Sequence, residues 1–156
     1  MSYPLNVVAV VGSTSTASRT LALAREELPA EIEQQLRRIE SADLLVAAAP
    51  VHRGSYPGLF KHLFDLVHVD GLVETPVLLA ATGGSERHAL VIDHQLRPLF
   101  SFLQALTLPI GVYATQQDFD GEFIASAPLQ ERIALAVERA VGVLGRVRGP
   151  GLRQIA

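Results

Sequence analysis

VVAVVGSTSTASRT, from Val7 to Thr20, decides the fold. A run rich in β-branched residues stops in a loop built almost wholly of Gly, Ser and Thr. Val7, Val8, Val10 and Val11 have the character of a strand buried on both faces, as in a parallel sheet with helices above and below. Gly12 turns the chain. Ser13, Thr14, Ser15, Thr16, Ser18 and Thr20 then bring hydroxyls beside the unpaired backbone N–H groups of the helix expected next. Those amides, the helix dipole and the Arg19 guanidinium favour an anion of the phosphate type. A polar turn with Ser18 as an N-cap is the plainer alternative.

Composition narrows the classes. The 156 residues are 49% hydrophobic, which supplies one domain, residues 1–156, with an extensive core. No apolar run approaches the roughly 18 to 20 residues that cross a bilayer, and the opening MSYPLN lacks the basic flank of a signal peptide. A cytoplasmic protein is therefore expected. Cysteine is absent, which excludes disulfide scaffolds, thiolate metal sites and cysteine nucleophiles. A formal charge of −3 gives no general attraction to nucleic acid or anionic lipid, so neither is an expected partner.

Strand patterns alternate with helical ones. Leu21–Leu28 and Glu31–Glu40 have helical periodicity, the second with Ile32, Leu36 and Ile39 on one face. Asp43–Pro50 is a buried strand. Ser55–Asp65 starts a helix with Pro57 in its first turn and an apolar stripe of Leu59, Phe60, Leu63 and Phe64. Thr75–Gly84 is a third strand, and His88–Leu106 a long helix in which Pro98 kinks or widens a turn. Leu108–Thr115 is a fourth strand, Leu129–Leu144 a closing helix, and Arg146–Ala156 a loose tail. Right-handed crossovers then bring GSTSTASRT, PVHRGSYPG and ATGGSER, each following a strand, to one edge of a parallel sheet. Three glycine-bearing polar loops at one edge describe one binding site.

These residues carry a resemblance. GSTSTASRT, SADLLVAAAPVHRGSYPGLFKHLFDL and TPVLLAATGGSERHALVIDHQLRPLFSFLQALTLPIGVYAT resemble the NAD(P)H-dependent FMN reductases of the flavodoxin-like superfamily. Within them, the likeness is greatest to the reductase partners of two-component alkanesulfonate and methanesulfonate monooxygenases. The resemblance implies an α/β three-layer sandwich and an oxidoreductase of sulfonate metabolism, with FMN and NADH or NADPH as its cofactors. It implies a homodimer or homotetramer that hands reduced flavin to a monooxygenase.

By the same resemblance Ser13, Ser18, Arg19 and Thr20 surround the FMN phosphate. Ser15 and Thr16 stand where relatives often carry an Arg or a Tyr-Arg pair, which shifts the burden to Arg19 and to backbone amides. Pro50, Val51, His52 and Arg53 flank the ribityl chain and ring edge, with His52 where Tyr is usual. Thr82, Gly83, Gly84 and Ser85 meet the pyrimidine end of the ring, where a Cβ would hold the backbone away. His94 falls at the position of an inserted Tyr or His that makes a π-bulge near a subunit interface and the flavin. No protein acid or base is assigned to catalysis, because the cofactor carries the reaction. The five histidines, His52, His62, His68, His88 and His94, lack metal-ligand spacing supported by carboxylates or thiolates, so no metal is expected.

One departure stands out. Arg25–Glu31 joins two helical patterns with no apolar extended run, so the second strand of a flavodoxin-like sheet, an edge strand, is missing from this sequence. Either the protein is short here or a segment has been left out; the apolar character of Val7–Val11 favours the second, because its edge would otherwise lie open. Other functions are weighed by the same residues. A P-loop NTPase needs Gly-Lys-Ser/Thr at the loop end and a dinucleotide-binding domain G-x-G-x-x-G, both absent. A flavodoxin-type electron carrier is usually far more acidic. An NAD(P)H-dependent quinone or azo reductase with bound FMN is the principal alternative.

Overall fold

The structure, a computed structural model, describes residues 5–12 and 30–147. The expected helix Leu21–Leu28 and the tail beyond Val147 lie outside them. Strand β1 (Val7–Val11) is followed by helix α1 (Ala30–Glu40), β2 (Leu44–Pro50), α2 (Gly58–Asp65) and β3 (Pro76–Gly83). A 3₁₀ turn at Glu86–His88, a π turn at Ile92–Leu96 and a short α3 (Arg97–Phe102) lead to β4 (Leu106–Thr107) and β5 (Val112–Thr115). A hairpin of β6 (Phe119–Asp120) and β7 (Phe123–Ile124) precedes α4 (Ala127–Val147). No helix of the described residues is long and apolar enough to cross a membrane.

The sheet is parallel, in the order β1-β2-β3, with β4 and β5 both pairing along β3. Alternate residues of β2 and β3 face opposite layers, as the period of a strand requires. Leu45, Ala47, Ala49, Val77, Leu79 and Ala81 pack into a cluster that includes Leu36 of α1, Phe60 and Phe64 of α2, and Phe100 of α3. Leu44 and Leu78 face the other way, against Ala136, Ala140 and Leu144 of α4. This is the expected three-layer sandwich. Its first layer is joined by rings: Tyr56, Phe60, Phe64 and Phe100 follow one another at centroid distances of 5.7, 4.9 and 4.8 Å.

Where expectation and structure part, a physical cause is visible. The helix expected over His88–Leu106 is three different turns in series and ends at Phe102. Pro98 has no N–H to give, and its ring cannot sit against the carbonyl one turn back, so the turn before it widens. Gln104 then takes a left-handed φ of 56° and turns Leu106 into β4 instead of a helix. The expected strand Leu108–Thr115 is shortened to β5, and between β4, which precedes it, and β5 the ladder along β3 is interrupted. Two arginines serve the carbonyls in that gap: Arg97 Nη1 donates to the Leu108 oxygen at 2.9 Å and Arg132 Nε to the Gly111 oxygen at 2.9 Å. In α2 Pro57 is the N-cap, and Leu59, expected in the apolar stripe, is exposed. Leu96, Leu99, Phe100 and Leu103 fill the chain's own core, so the surplus apolar surface of this region is Leu90, Phe102 and Leu106.

Among the described residues β1 forms an uncovered edge, as the missing strand implies. Val8 is buried, but Val7 and Val11, on the opposite face of the strand, are 53% and 70% exposed.

Phe100 is wholly buried and closes the ring column edge-on against Phe64. Phe100→Ala is predicted to cost about 3–5 kcal/mol in urea unfolding, the range for emptying a ring-sized core site.

Candidate functional site

Parallel register fixes where the loops leave. Val11 pairs with Ala48, Pro50 with Thr82, and Gly83 with Thr115, so the chain departs from β1, β2 and β3 at one edge of the sheet. The loops are bonded where they start: the Gly12 N–H donates to the Ala48 carbonyl at 2.9 Å and the Val51 N–H to the Thr82 carbonyl at 2.7 Å. Ser13, Ser18, Arg19 and Thr20 lie outside the described residues, but their anchor, Gly12, does not. A Cβ on Gly12 would stand 2.9 Å from Cδ2 of Phe60. Glycine at this position thus answers to close approach of α2 beneath the first loop.

The second loop is a tight turn. His52 and Ser55 exchange backbone hydrogen bonds of 2.7 and 3.1 Å, and Arg53 and Gly54 between them take φ of 54° and 86°. Positive φ at both central residues is the signature of the twisted hairpin turn that normally takes Asn-Gly or Gly-Gly. Arg53 bears the strain of that conformation with its side chain exposed. His52 is exposed too, whereas Pro50 and Val51 are half-buried at the strand end. The Ser55 hydroxyl donates to Gln95 Oε1 at 3.1 Å, which ties this loop to the π turn.

The third loop holds two glycines with different neighbours. A Cβ on Gly83 would overlap the hydroxyl of Tyr113, so this glycine is small for a reason inside the protein. At Gly84 nothing lies within 4 Å of where a Cβ would be, and the residue is exposed. Exposed Thr82 lies just before this pair, and half-buried Ser85 follows it with its Oγ accepting the Arg87 N–H at 3.3 Å. The structure therefore brings Pro50, Val51, His52 and Arg53 beside Thr82, Gly83, Gly84 and Ser85. His94 is exposed within the π turn, where the resemblance implied a π-bulge. Among the described residues no group of three His, Asp or Glu side chains is arranged to hold a metal ion.

Tyr113 and Gln95 were not singled out in the sequence. Tyr113 sits in a strand and Gln95 in a helical pattern, and each reaches a partner 28 or 40 positions away. A cleft of about 540 Å³ lies on the far flank of the third loop, between Glu86, Asp93, Tyr113 and Arg132. At its end the Asp118 carboxyl is held below the usual carboxylate range, first by the Thr115 backbone N–H and then by the Ser126 and Thr115 hydroxyls. The cleft meets the three loops only through the third, so the strand-end edge remains the site.

Comparison with known proteins agrees with this geometry. The family described as NADPH-dependent FMN reductase matches residues 26–120. The chain is 55% identical to the NADH-dependent FMN reductase SfnF of Pseudomonas fluorescens (strain Pf0-1), over 98% of this chain and 99% of that one. It is 53% identical to an FMN reductase (NADPH) of Pseudomonas aeruginosa, over 93% and 95%. A solved oxidoreductase of Corynebacterium diphtheriae superimposes with a TM-score of 0.77 at 29% identity, over 91% of this chain and 98% of that one. The alignment with SfnF runs over 185 positions against a chain of 156 residues, and both are covered nearly end to end. Within its length that relative therefore has residues for which this chain has no counterpart.

Gly12→Ala is predicted to push a methyl into the Phe60 ring and cost about 1–3 kcal/mol of stability, the usual price of overpacking. A thermal melt checks it, with Gly84→Ala, which meets open space, melting close to the wild type.

Proposed function

The chain belongs to the NADPH-dependent FMN reductase family, and from that membership we propose that it takes FMN at the strand-end edge, reduces it with NAD(P)H and passes it to a monooxygenase. The observation that carries the reading is 55% identity, along almost the whole chain, to an FMN reductase. Relatives of similar identity are named for NADH and for NADPH, so either nucleotide fits the reading. The monooxygenase is supported by the resemblance of the three loop-bearing blocks to the reductase partners of sulfonate monooxygenases.

The residues present fit FMN. Open space at Gly84 leaves the third-loop backbone free to meet a flat ring, while Gly83 is already closed by Tyr113. Ser13, Ser18, Arg19 and Thr20 would hold the phosphate, and Pro50, Val51, His52 and Arg53 would border the ribityl chain and ring edge. Backbone N–H groups of Gly84 and Ser85 at the pyrimidine end would favour negative charge there, as oxyanion-hole donors do. Bound FMN supplies a flavin N5 that accepts hydride from the nicotinamide C4. The protein's part is to fix the stacking distance and exclude water, with no side-chain acid or base required.

Assembly follows from surface left over. Leu90, Phe102 and Leu106 are 61%, 75% and 45% exposed around the π turn that carries His94. A homodimer or homotetramer that buries this region accounts for them. Light scattering at micromolar concentration is expected to show more than one chain per particle. His94→Ala is expected to weaken assembly or alter flavin turnover without lowering monomer stability, and a monomeric wild type whose variant turns over unchanged refutes this.

The reductase reading is tested by steady-state oxidation of NAD(P)H. The purified protein is expected to be nearly colourless and its rate to saturate with added FMN. A stoichiometric yellow protein that reduces quinones much faster than free flavin is instead a quinone or azo reductase. Arg19→Ala is expected to weaken FMN by about 1.5–3 kcal/mol, the worth of a hydrogen bond to a charged group, and to spare riboflavin, which has no phosphate. Equal weakening of both flavins would show that Arg19 acts through folding.

A further inference from the structure

Tyr113 stands on β5 opposite Ala81 of β3. The next residue of β3 on the same face is Gly83, so the phenol ring runs forward over a position with no side chain. Its hydroxyl donates to the Ser85 carbonyl at 2.6 Å. That same carbonyl accepts the His88 N–H at 3.2 Å, which opens the 3₁₀ turn Glu86–His88. The strand end, the loop and the following turn are thus held at one oxygen by a side chain from a different strand.

What this achieves follows from the residues between. Gly83 and Gly84 have the widest backbone freedom of any pair, and ordering each costs conformational entropy. No side chain of their own restrains them. A phenol that fills the space over Gly83 and grips Ser85 prepays that cost, which is how pre-organisation raises affinity without a new ligand contact. Burial, and next the Glu86 carboxylate, raise the Tyr113 pKa above its ordinary value, so the phenol remains a donor across the neutral range.

We propose that Tyr113 is a positioning residue: it sets the backbone of Gly83, Gly84 and Ser85 against the flavin ring without touching the flavin. The inference rests on the reading of this loop as the ring end of an FMN site. It assigns the strand β5, remote in sequence from all three loops, a part in flavin affinity.

Tyr113→Phe keeps the ring and removes the grip. Fluorescence titration with FMN and with riboflavin is expected to show both dissociation constants rising about three- to tenfold, the worth of one hydrogen bond. In turnover the KM for FMN rises by a similar factor while kcat changes little, and the melting temperature stays near that of the wild type. Equal loss for both flavins separates this effect from that of the phosphate loop. A second pair tests the packing: Gly83→Ala alone is expected to lose flavin binding, and Gly83→Ala with Tyr113→Phe to recover part of it. With the hydroxyl gone, the nearest ring atom to the new Cβ is Cζ at 3.2 Å. Wild-type affinity of Tyr113→Phe for both flavins, or a fall in its melting temperature with affinity retained, overturns the inference and leaves the reductase reading standing. Absence of flavin binding by the unaltered chain overturns both.

Discussion

Four aromatic rings run from the loop edge into the interior, and the placement of the site depends on their contact. Tyr56 begins the column at the end of the second loop, Phe60 and Phe64 continue it along one face of α2, and Phe100 closes it from α3. Spacing of four residues puts Phe60 and Phe64 on one stripe of α2, and Tyr56 joins them from just before its N-cap. Because Phe60 also fills the place of a side chain at Gly12, the column sets the distance between α2 and the first strand end. The ladder spaces the strand ends, and this apolar contact decides how closely α2 lies beneath the first loop. Each ring pair adds a modest attraction to its buried area, and the directional preference of ring edges for ring faces gives the column its geometry.

The parts of the fold legible in the sequence are those in which one physical signal acts alone. Buried parallel strands are continuous apolar runs, so β2 and β3 lie within a residue of where Asp43–Pro50 and Thr75–Gly84 place them. The region from His88 to Leu106 defeats the same reading because 3₁₀, π and α turns all keep apolar residues on one side at short spacing. Pro98 announces an irregularity without stating its kind, and the left-handed turn at Gln104 has no glycine to announce it. The break between β4 and β5 is silent for another reason: Arg97 and Arg132, distant in sequence, satisfy the carbonyls that a continuous ladder would have used. The hairpin β6–β7 did carry a signal in Asp120-Gly121, where Gly121 takes a φ of 58°, but its strands are too short to alternate.

For the site, composition locates the loops and topology brings them together; neither shows how they are held. Glycines at positions 12, 83 and 84 look alike in the sequence. Gly12 yields to Phe60, Gly83 yields to Tyr113, and Gly84 faces open space. Small residues at a ligand edge therefore serve the supporting layer as much as the ligand. The turn at Arg53 shows the reverse, a long charged side chain placed where glycine would be easier, which keeps a guanidinium at the rim in exchange for backbone strain.

The edge of β1 has a consequence for the molecule as a material. Val7, Ala9 and Val11 are exposed side by side, and the strand carries neither charge nor proline. Its outer row of backbone donors and acceptors has no neighbouring strand among the described residues. Such a strand is a template on which any extended chain can crystallise one rung of a ladder, and a second copy of β1 offers an equally bare rung. In any form of the chain that leaves this edge bare, a lysine at Ala9 would act as a gatekeeper against growth of the sheet.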